Sequence, residues 1–456
     1  MRVLRRAILI GFAMCGVTRI NAQEERRYLD AARGAAKWIR STQRITVAGT
    51  IWPADPLKPT ERTTSLYSGS AGVVLFLLEL HAASGEAVYL ADARAGADEL
   101  LARIPKDLSH DGAGLYTGVA GTGFVLLETY RATQDGKYRA GVEQIVRLLE
   151  EHARPAGGGI EWGPVTDIIS GSAGTGLFLL RAAKEQDLPR ARTLATAAGK
   201  RLLQLSEDKD AGKDWAMSPT YARRMPNFSH GTAGVAFFLA TLYRETRERE
   251  FLDAAIAGAR YLQSIADTSY SGCTIYHHEP DGRDLFYLGW CHGPAGTARL
   301  FYQLTQATGD PEWMRWVGRS AQSLVSSGIP EKRTPGFWNN AGQCCGNAGV
   351  AQFFVDLHRA TGRREYLGFA KRVAADILKR ATEIDPIASS ANPGKQSNGA
   401  RGLKWIQAEH RVRPELLIAQ TGYMQGAAGI GMVLLHLDGL GQDRPPAIVF
   451  PDSPFR

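Results

Sequence analysis

Seven times along this chain a Gly-x-x-Gly step leads straight into an apolar run. The copies fall at Gly69/Gly72, Gly118/Gly121, Gly171/Gly174, Gly231/Gly234, Gly293/Gly296, Gly346/Gly349 and Gly426/Gly429. The runs that follow are alike: VVLFLLEL, TGFVLLETY, TGLFLLRAA, VAFFLATLY, TARLFYQL, VAQFFVDLH and IGMVLLHL. Each is apolar nearly all round, as in a helix buried on most of its surface. Between the copies lie segments such as REFLDAAIAGARYLQSI and REYLGFAKRVAADILKRA, with apolar residues at i, i+3, i+4 and i+7 and charges opposite. Seven buried helices alternating with seven amphipathic ones predict an all-α chain, an α/α toroid (barrel) of seven inner and seven outer helices. An open solenoid needs polar terminal copies, and the terminal copies here are as apolar as the middle ones.

The repeat runs without a break from residue 69 to residue 429, so 456 residues read as one large domain. The formal charge of +8 does not point to nucleic acid. Arg2, Arg5, Arg6 and Arg19 supply four of the positive charges within the first 22 residues, which hold no acid; elsewhere both signs are interspersed. Those 22 residues read as an export signal: a basic MRVLRR, the apolar AILIGFAMCGV, and small-residue cleavage after Ala22. The apolar run is too short for a stable membrane span. The expectation is a signal peptide over residues 1–22 and a toroid domain over 23–456, exported to the periplasm or secreted as a monomer. Anchoring by an uncleaved signal is the alternative.

All inner helices should start at one end of the ring, so their free N–H groups converge on one face that favours anions and thiolates. The residue before each first glycine isolates the chemistry on that face. Ser68, Thr117 and Ser170 in copies one to three read as helix N-caps. Copies four to seven carry His230, His292, Cys345 and Gln425 there. One position earlier stand Tyr67, Tyr116, Ile169, Ser229, Cys291, Cys344 and Met424. Three of the four cysteines beyond the signal thus share one slot in neighbouring copies. Thiols meeting there suggest zinc, for which thiolate is a preferred ligand. Cys291, Cys344 and Cys345 would leave the fourth position open, as in catalytic zinc sites.

WCHGPAG (290–296), QCCGNAG (343–349), FSHGTAG (228–234) and DIISGSAG (167–174) resemble the motifs of the lanthionine synthetase C-like (LanC-like) family. The resemblance implies an α/α toroid with zinc at the top of the ring. It also implies thioether-forming addition of a cysteine thiol to dehydroalanine or dehydrobutyrine in a peptide. Cys291 and Cys344 match the family's zinc cysteines, and Cys345 falls where most members have a histidine, a three-cysteine variant being known in part of the family. His230 matches the catalytic histidine and Asp167 its acidic partner; His292, beside the first ligand, is a third catalytic candidate, with a structural or hydrogen-bonding role as its plainer reading. Bacterial cyclases carry an arginine four residues before the first zinc cysteine, where this chain has Tyr287, and Arg283 is out of register.

Other residues have plainer readings. His230 and Asp167 could serve only as caps, His277-His278 reads as a solvated loop, and Cys273 as a buried small residue. Trp52, Trp162, Trp215, Trp290, Trp338 and Trp405 precede inner helices and are candidates to line a substrate mouth, or core. A carbohydrate-active toroid is the competing function, with Glu161, Asp167, Glu279 and Asp284 as candidate carboxylates. A non-catalytic protein that binds peptides, thiols or electrophiles is the third.

Overall fold

The structure, a computed structural model, describes residues 27–61, 63–108, 112–333, 340–384, 401–408 and 410–455. The expected signal, residues 1–22, lies outside them. The chain runs α1 (27–41), α2 (Ser70–Ser84), α3 (Ala87–Ala102), α4 (Val119–Thr133), α5 (Gly136–Glu151), α6 (Ser172–Gln186) and α7 (Pro189–Gln204). It continues α8 (Thr232–Thr246), α9 (Arg249–Ile265), α10 (Pro294–Thr308), α11 (Pro311–Ser326), α12 (Asn347–Thr361), α13 (Arg364–Lys379) and α14 (Ala427–Gly441). Even-numbered helices touch in sequence and α14 closes on α2. Each odd-numbered helix from α3 onward packs on the helix before it. This is the expected toroid, and no helix among the described residues is long and apolar enough to cross a membrane.

The layers follow from the side-chain pattern. In α2 every residue from Ser70 to Leu80 is buried, because the helix is enclosed on all sides. In α13 only Tyr366, Phe369, Ala370, Val373, Ala374 and Ile377 are buried, at the three- and four-residue spacing of one helical face. Burying one such Val or Phe side chain contributes about 1.5–3 kcal/mol, so a charge at Val373 would weaken the packing of α13 by at least that much.

Close approach explains the glycine step. The first glycine is the helix N-cap in extended conformation, with φ of −99° at Gly69 and −127° at Gly293. A Cβ on the second glycine would collide with a carbonyl six residues earlier, that of Phe228 for Gly234 and of Trp290 for Gly296. Ser68, Thr117 and Ser170 are therefore not the N-caps the sequence suggested: the caps are Gly69, Gly118 and Gly171, with no side-chain cap bond. Thr117 Oγ1 instead donates to Ser170 Oγ at 2.9 Å.

The seven turns are joined to one another. The N–H of Tyr67 donates to the carbonyl of Tyr116 (2.9 Å), Tyr116 to Ile169 (2.9 Å), Ser229 to Cys291 (2.9 Å) and Cys291 to Cys344 (3.0 Å). Cys344 donates to Met424 (3.0 Å) and Met424 back to Tyr67 (2.8 Å). The remaining link slips by one residue, from Ile168 N–H to Ser229 O at 3.3 Å. A closed hydrogen-bonded hoop thus crowns the inner helices, built from the slot that the repeat comparison isolated.

Antiparallel hairpins fill several outer-to-inner connections: β1–β2 (Arg44–Ile45, Thr50–Ile51), β3–β4 (Arg154–Ala156, Gly159–Glu161) and β5–β6 (Glu207–Lys209, Gly212–Asp214). Two more, β7–β8 (Thr382–Ile384, Gly402–Lys404) and β9–β10 (Gln407–Ala408, Leu417–Ile418), precede α14. The tryptophans pin these connections rather than line a mouth. Trp162, Trp215 and Trp405 donate Nε1 to the carbonyls of Leu149 (2.7 Å), Leu202 (2.7 Å) and Ile377 (2.8 Å), near the ends of α5, α7 and α13. Trp52 and Trp290 are buried in the core, and Trp338 lies outside the described residues. After α14 the chain turns into the axis of the ring, where Ile448, Phe450, Asp452 and Phe455 are buried.

Candidate metal centre

Cys291 precedes α10, and Cys344 and Cys345 precede α12, so adjacent turns of the hoop bring them together. All three are buried. The sulfur of Cys345 lies 3.2 Å from that of Cys291 and 3.3 Å from that of Cys344. Among the described residues they form the group able to hold a metal ion, with all ligand atoms within 4.8 Å of one another. Tetrahedral coordination with metal–sulfur bonds of about 2.3 Å requires sulfurs about 3.8 Å apart. The observed sulfur separations, all within 4.8 Å, bracket that spacing, and the donor set is the soft one that zinc takes. None of the three is in a disulfide.

The thiols share charge unevenly. Hydrogen bonds from Cys291 and Cys345 hold the Cys344 thiol well below its ordinary range, against burial. Burial, reinforced by its two neighbours, pushes Cys291 well above it. The Tyr67 phenol, hydrogen-bonded to Cys344, is raised by burial and then by that sulfur's charge, so it stays protonated. Gln425 Nε2 donates to the Tyr67 oxygen at 3.3 Å.

Above the sulfurs opens a cleft of about 480 Å³. His230 stands on one wall, its Nδ1 2.6 Å from Asp167 Oδ2. Asp167 is 1% exposed, and its Oδ1 accepts from the N–H groups of Ser170 (2.7 Å) and Gly171 (2.9 Å). Burial disfavours the His230 imidazolium, yet the Asp167 hydrogen bond and charge outweigh it and hold the ring above the ordinary histidine value. His292 is buried, its Nε2 3.4 Å from Ser229 Oγ, and its Nδ1 has no partner among the described residues. Burial pushes it well below the ordinary value. His277 stacks on it with ring centres 3.9 Å apart and is pushed down to about 3 by burial and then by His278. Tyr287 and Arg411 also line the cleft, the latter from the β9–β10 loop. Burial raises the Tyr287 phenol, the charges of Cys345 and Cys291 raise it further, and a hydrogen bond with Arg411 works against them.

The sequence profile of the family described as lanthionine synthetase C-like protein matches residues 60–450. The chain belongs to that family. Among solved structures this LanC-like chain is similar to nisin cyclase, with a TM-score of 0.58 and 16% identity over 91% of this chain and 93% of that one. An α-1,6-mannanase from Salegentibacter sp. HEL1_6 aligns over 91% of this chain and 99% of that one at 14% identity, with a TM-score of 0.45. At 16% identity the likeness to nisin cyclase concerns the fold alone.

The LanC-like fold brings together Cys291, Cys344, Cys345, His230, Asp167 and His292. Cys273 lies apart, buried, its thiol pushed up to about 12 by burial. Two readings need correction. His277-His278 is not a solvated loop, since His278 is buried and His277 lines the cleft against His292. Glu161, Glu279 and Asp284 do not face the cleft: Glu161 pairs with Arg201 (2.9 Å), Glu279 with Arg283 (2.5 Å), and Asp284 is exposed. Arg411, Tyr67 and Gln425 were missed as site residues. Arg411 lies in a loop outside the repeat, whereas Tyr67 and Gln425 occupy the very slot that flagged the cysteines.

Proposed function

We propose that this LanC-like protein holds zinc at Cys291, Cys344 and Cys345 and adds a thiol to a dehydroamino-acid side chain of a peptide, forming a thioether. The observation that carries the reading is the three-sulfur cluster opening on a cleft that also holds the Asp167–His230 pair. Zinc bound there would supply an open coordination position at which a substrate thiol is held as thiolate near neutral pH. In the reaction a carbon–sulfur bond forms, the carbon–carbon double bond is lost, and the thiol proton ends on the α-carbon. Asp167 fixes the His230 ring through Nδ1 and favours its protonated form, leaving Nε2 to deliver that proton. Arg411, beside Tyr287, offers the cation for the negative charge that builds on the neighbouring carbonyl oxygen. It does so from a different loop than the arginine of the bacterial cyclases. His277 and His292, both neutral, shape the wall without adding charge.

With residues 1–22 read as an export signal, the dehydrated peptide would be supplied by another protein and met outside the cytoplasm. The carbohydrate-active alternative needs two carboxylates across the cleft, and the described residues lining it include none. The test combines metal analysis with addition of a thiol to a dehydroalanine peptide, followed by mass. Wild type should carry one equivalent of zinc and yield the thioether, and Cys291→Ala and Cys344→Ala should lose both. Full zinc in both variants would end the site assignment. Zinc and thiol binding with the peptide unmodified would make the protein a binder.

A further inference from the structure

The axis of the toroid is occupied by the chain's own C-terminal tail, which neither the repeat nor the cysteine slot accounts for. At the foot of the ring Arg444 pairs with Asp438 (3.0 Å) and Glu79 (3.6 Å), and the Arg359 guanidinium donates to the Arg444 carbonyl at 3.1 Å. The tail then climbs: Ile448 N–H donates to Glu79 Oε2 at 2.8 Å, and Phe450 stacks on Tyr423 with ring centres 4.5 Å apart. Ser453 N–H returns to the Phe450 carbonyl at 3.0 Å, reversing the chain so that Phe455 packs on Tyr302 at 4.4 Å.

At the top of this reversal sits Asp452, a carboxylate 1% exposed. Its Oδ1 accepts from Tyr116 OH at 3.2 Å. Its Oδ2 accepts from Trp290 Nε1 at 3.1 Å and lies 3.4 Å from Arg299 Nη1, which also donates to its backbone carbonyl at 2.9 Å. A buried charge is tolerated only when fully partnered, and an apolar plug would fill the axis without that demand. The partners explain the choice of residue. Trp290 directly precedes Cys291, and Tyr116 is itself a member of the hoop. Their rings meet edge to face at 5.2 Å, and Trp290 also meets Phe228 at 5.6 Å. A single carboxylate thus fixes the indole whose backbone continues into the first cysteine.

We infer that the C-terminal tail is an internal strut of the metal site, and that Asp452 is a positioning residue for Cys291 acting through Trp290. The metal-dependent part of this inference rests on the zinc reading above. Groups that orient metal ligands from behind typically change affinity by about 10–100-fold when removed. Asp452→Asn should therefore weaken zinc binding by about that factor and alter the sulfur-to-metal absorption of the cobalt-substituted protein. Trp290→Phe should do the same, and the double variant should be no worse than either single one. Phe455→Leu, which loosens the tail away from Trp290, should lower the unfolding midpoint while leaving zinc affinity and the cobalt spectrum unchanged. In metal-free protein, mass-mapped alkylation of Cys291 should be faster in Asp452→Asn than in wild type. If wild type binds no zinc yet the alkylation difference holds, the metal reading fails and the strut stands. Wild-type affinity, spectrum and alkylation in both Asp452→Asn and Trp290→Phe would overturn the inference. So would an affinity loss in Phe455→Leu equal to that in Asp452→Asn.

Discussion

Asp167 binds His230 with one carboxylate oxygen while its other oxygen holds the turn that starts α6. The acid is therefore built into the backbone of one repeat and orients the side chain of the next. Against burial, the Asp167 hydrogen bond and charge raise the His230 pKa above the ordinary histidine value, which favours the protonated ring.

That sign sets a pH prediction. If His230 donates the proton, the rate should be flat at mildly acidic pH and fall as pH rises through the raised value. Asp167→Asn removes the stabilising charge and leaves burial to dominate, so the falling limb should move to lower pH. The neutral-pH rate should drop by up to the 10²–10⁴-fold typical of general acid catalysis. A pH–rate profile of both proteins checks this. The same pair also stabilises the fold, fully below the unfolded histidine value of about 6.5 and progressively less as pH rises through the folded one.

Arg411 and Arg283 make opposite predictions. Arg411 faces the cleft beside Tyr287, whereas Arg283 is spent on Glu279. Arg411→Ala should lower kcat by about 10²–10³-fold, the usual effect of removing one donor to a developing oxyanion. Arg283→Ala should leave kcat within about twofold, surface substitutions having small effects. Steady-state kinetics on a dehydroalanine peptide distinguish them.

On the proposed zinc reading, Cys345→His would exchange one thiolate ligand for an imidazole. It should keep one equivalent of metal, since imidazole and thiolate both suit zinc. With one negative charge fewer on the metal, the bound substrate thiol should ionise at lower pH and react more slowly once ionised. Metal analysis and the pH dependence of thiol addition measure the two effects separately.

Gly296→Ala tests the packing argument. The added Cβ meets the Trp290 carbonyl, which cannot swing aside as a flexible side chain would. The expected loss is about 1–3 kcal/mol, as for other overpacked positions. Denaturant unfolding should show a lower midpoint, whereas alanine at Gly318, with nothing near its Cβ, should not lower it.

Much of this was legible in the sequence because it is local and repeated. The glycine step, the apolar run and the amphipathic partner each lie within one copy, and seven copies make the ring almost forced. The cysteine site was legible for the same reason, since equivalent positions in neighbouring copies must converge. Arg411 was not, because it comes from a loop between α13 and α14 with no counterpart elsewhere in the chain. The stacking of His277 on His292 joins a connecting loop to a hoop turn, and no spacing announces such a contact. Ser68, Thr117 and Ser170 were misread because they look like caps, although glycine had already taken that position. The tail follows the last repeat and carries no periodicity, so nothing in its sequence points to the axis.

The hoop of backbone bonds has a consequence for how such a chain can change. An open stack of repeats can gain or lose a unit at either end, or by duplication in the middle, and stay folded. Here Met424 must reach Tyr67, and α14 must reach α2, for the last unit to have a neighbour. Adding or deleting one copy would leave that closure out of register everywhere at once. Copy number is thereby frozen, and novelty is confined to substitutions within individual copies and to the loops and tail that the repeat does not govern.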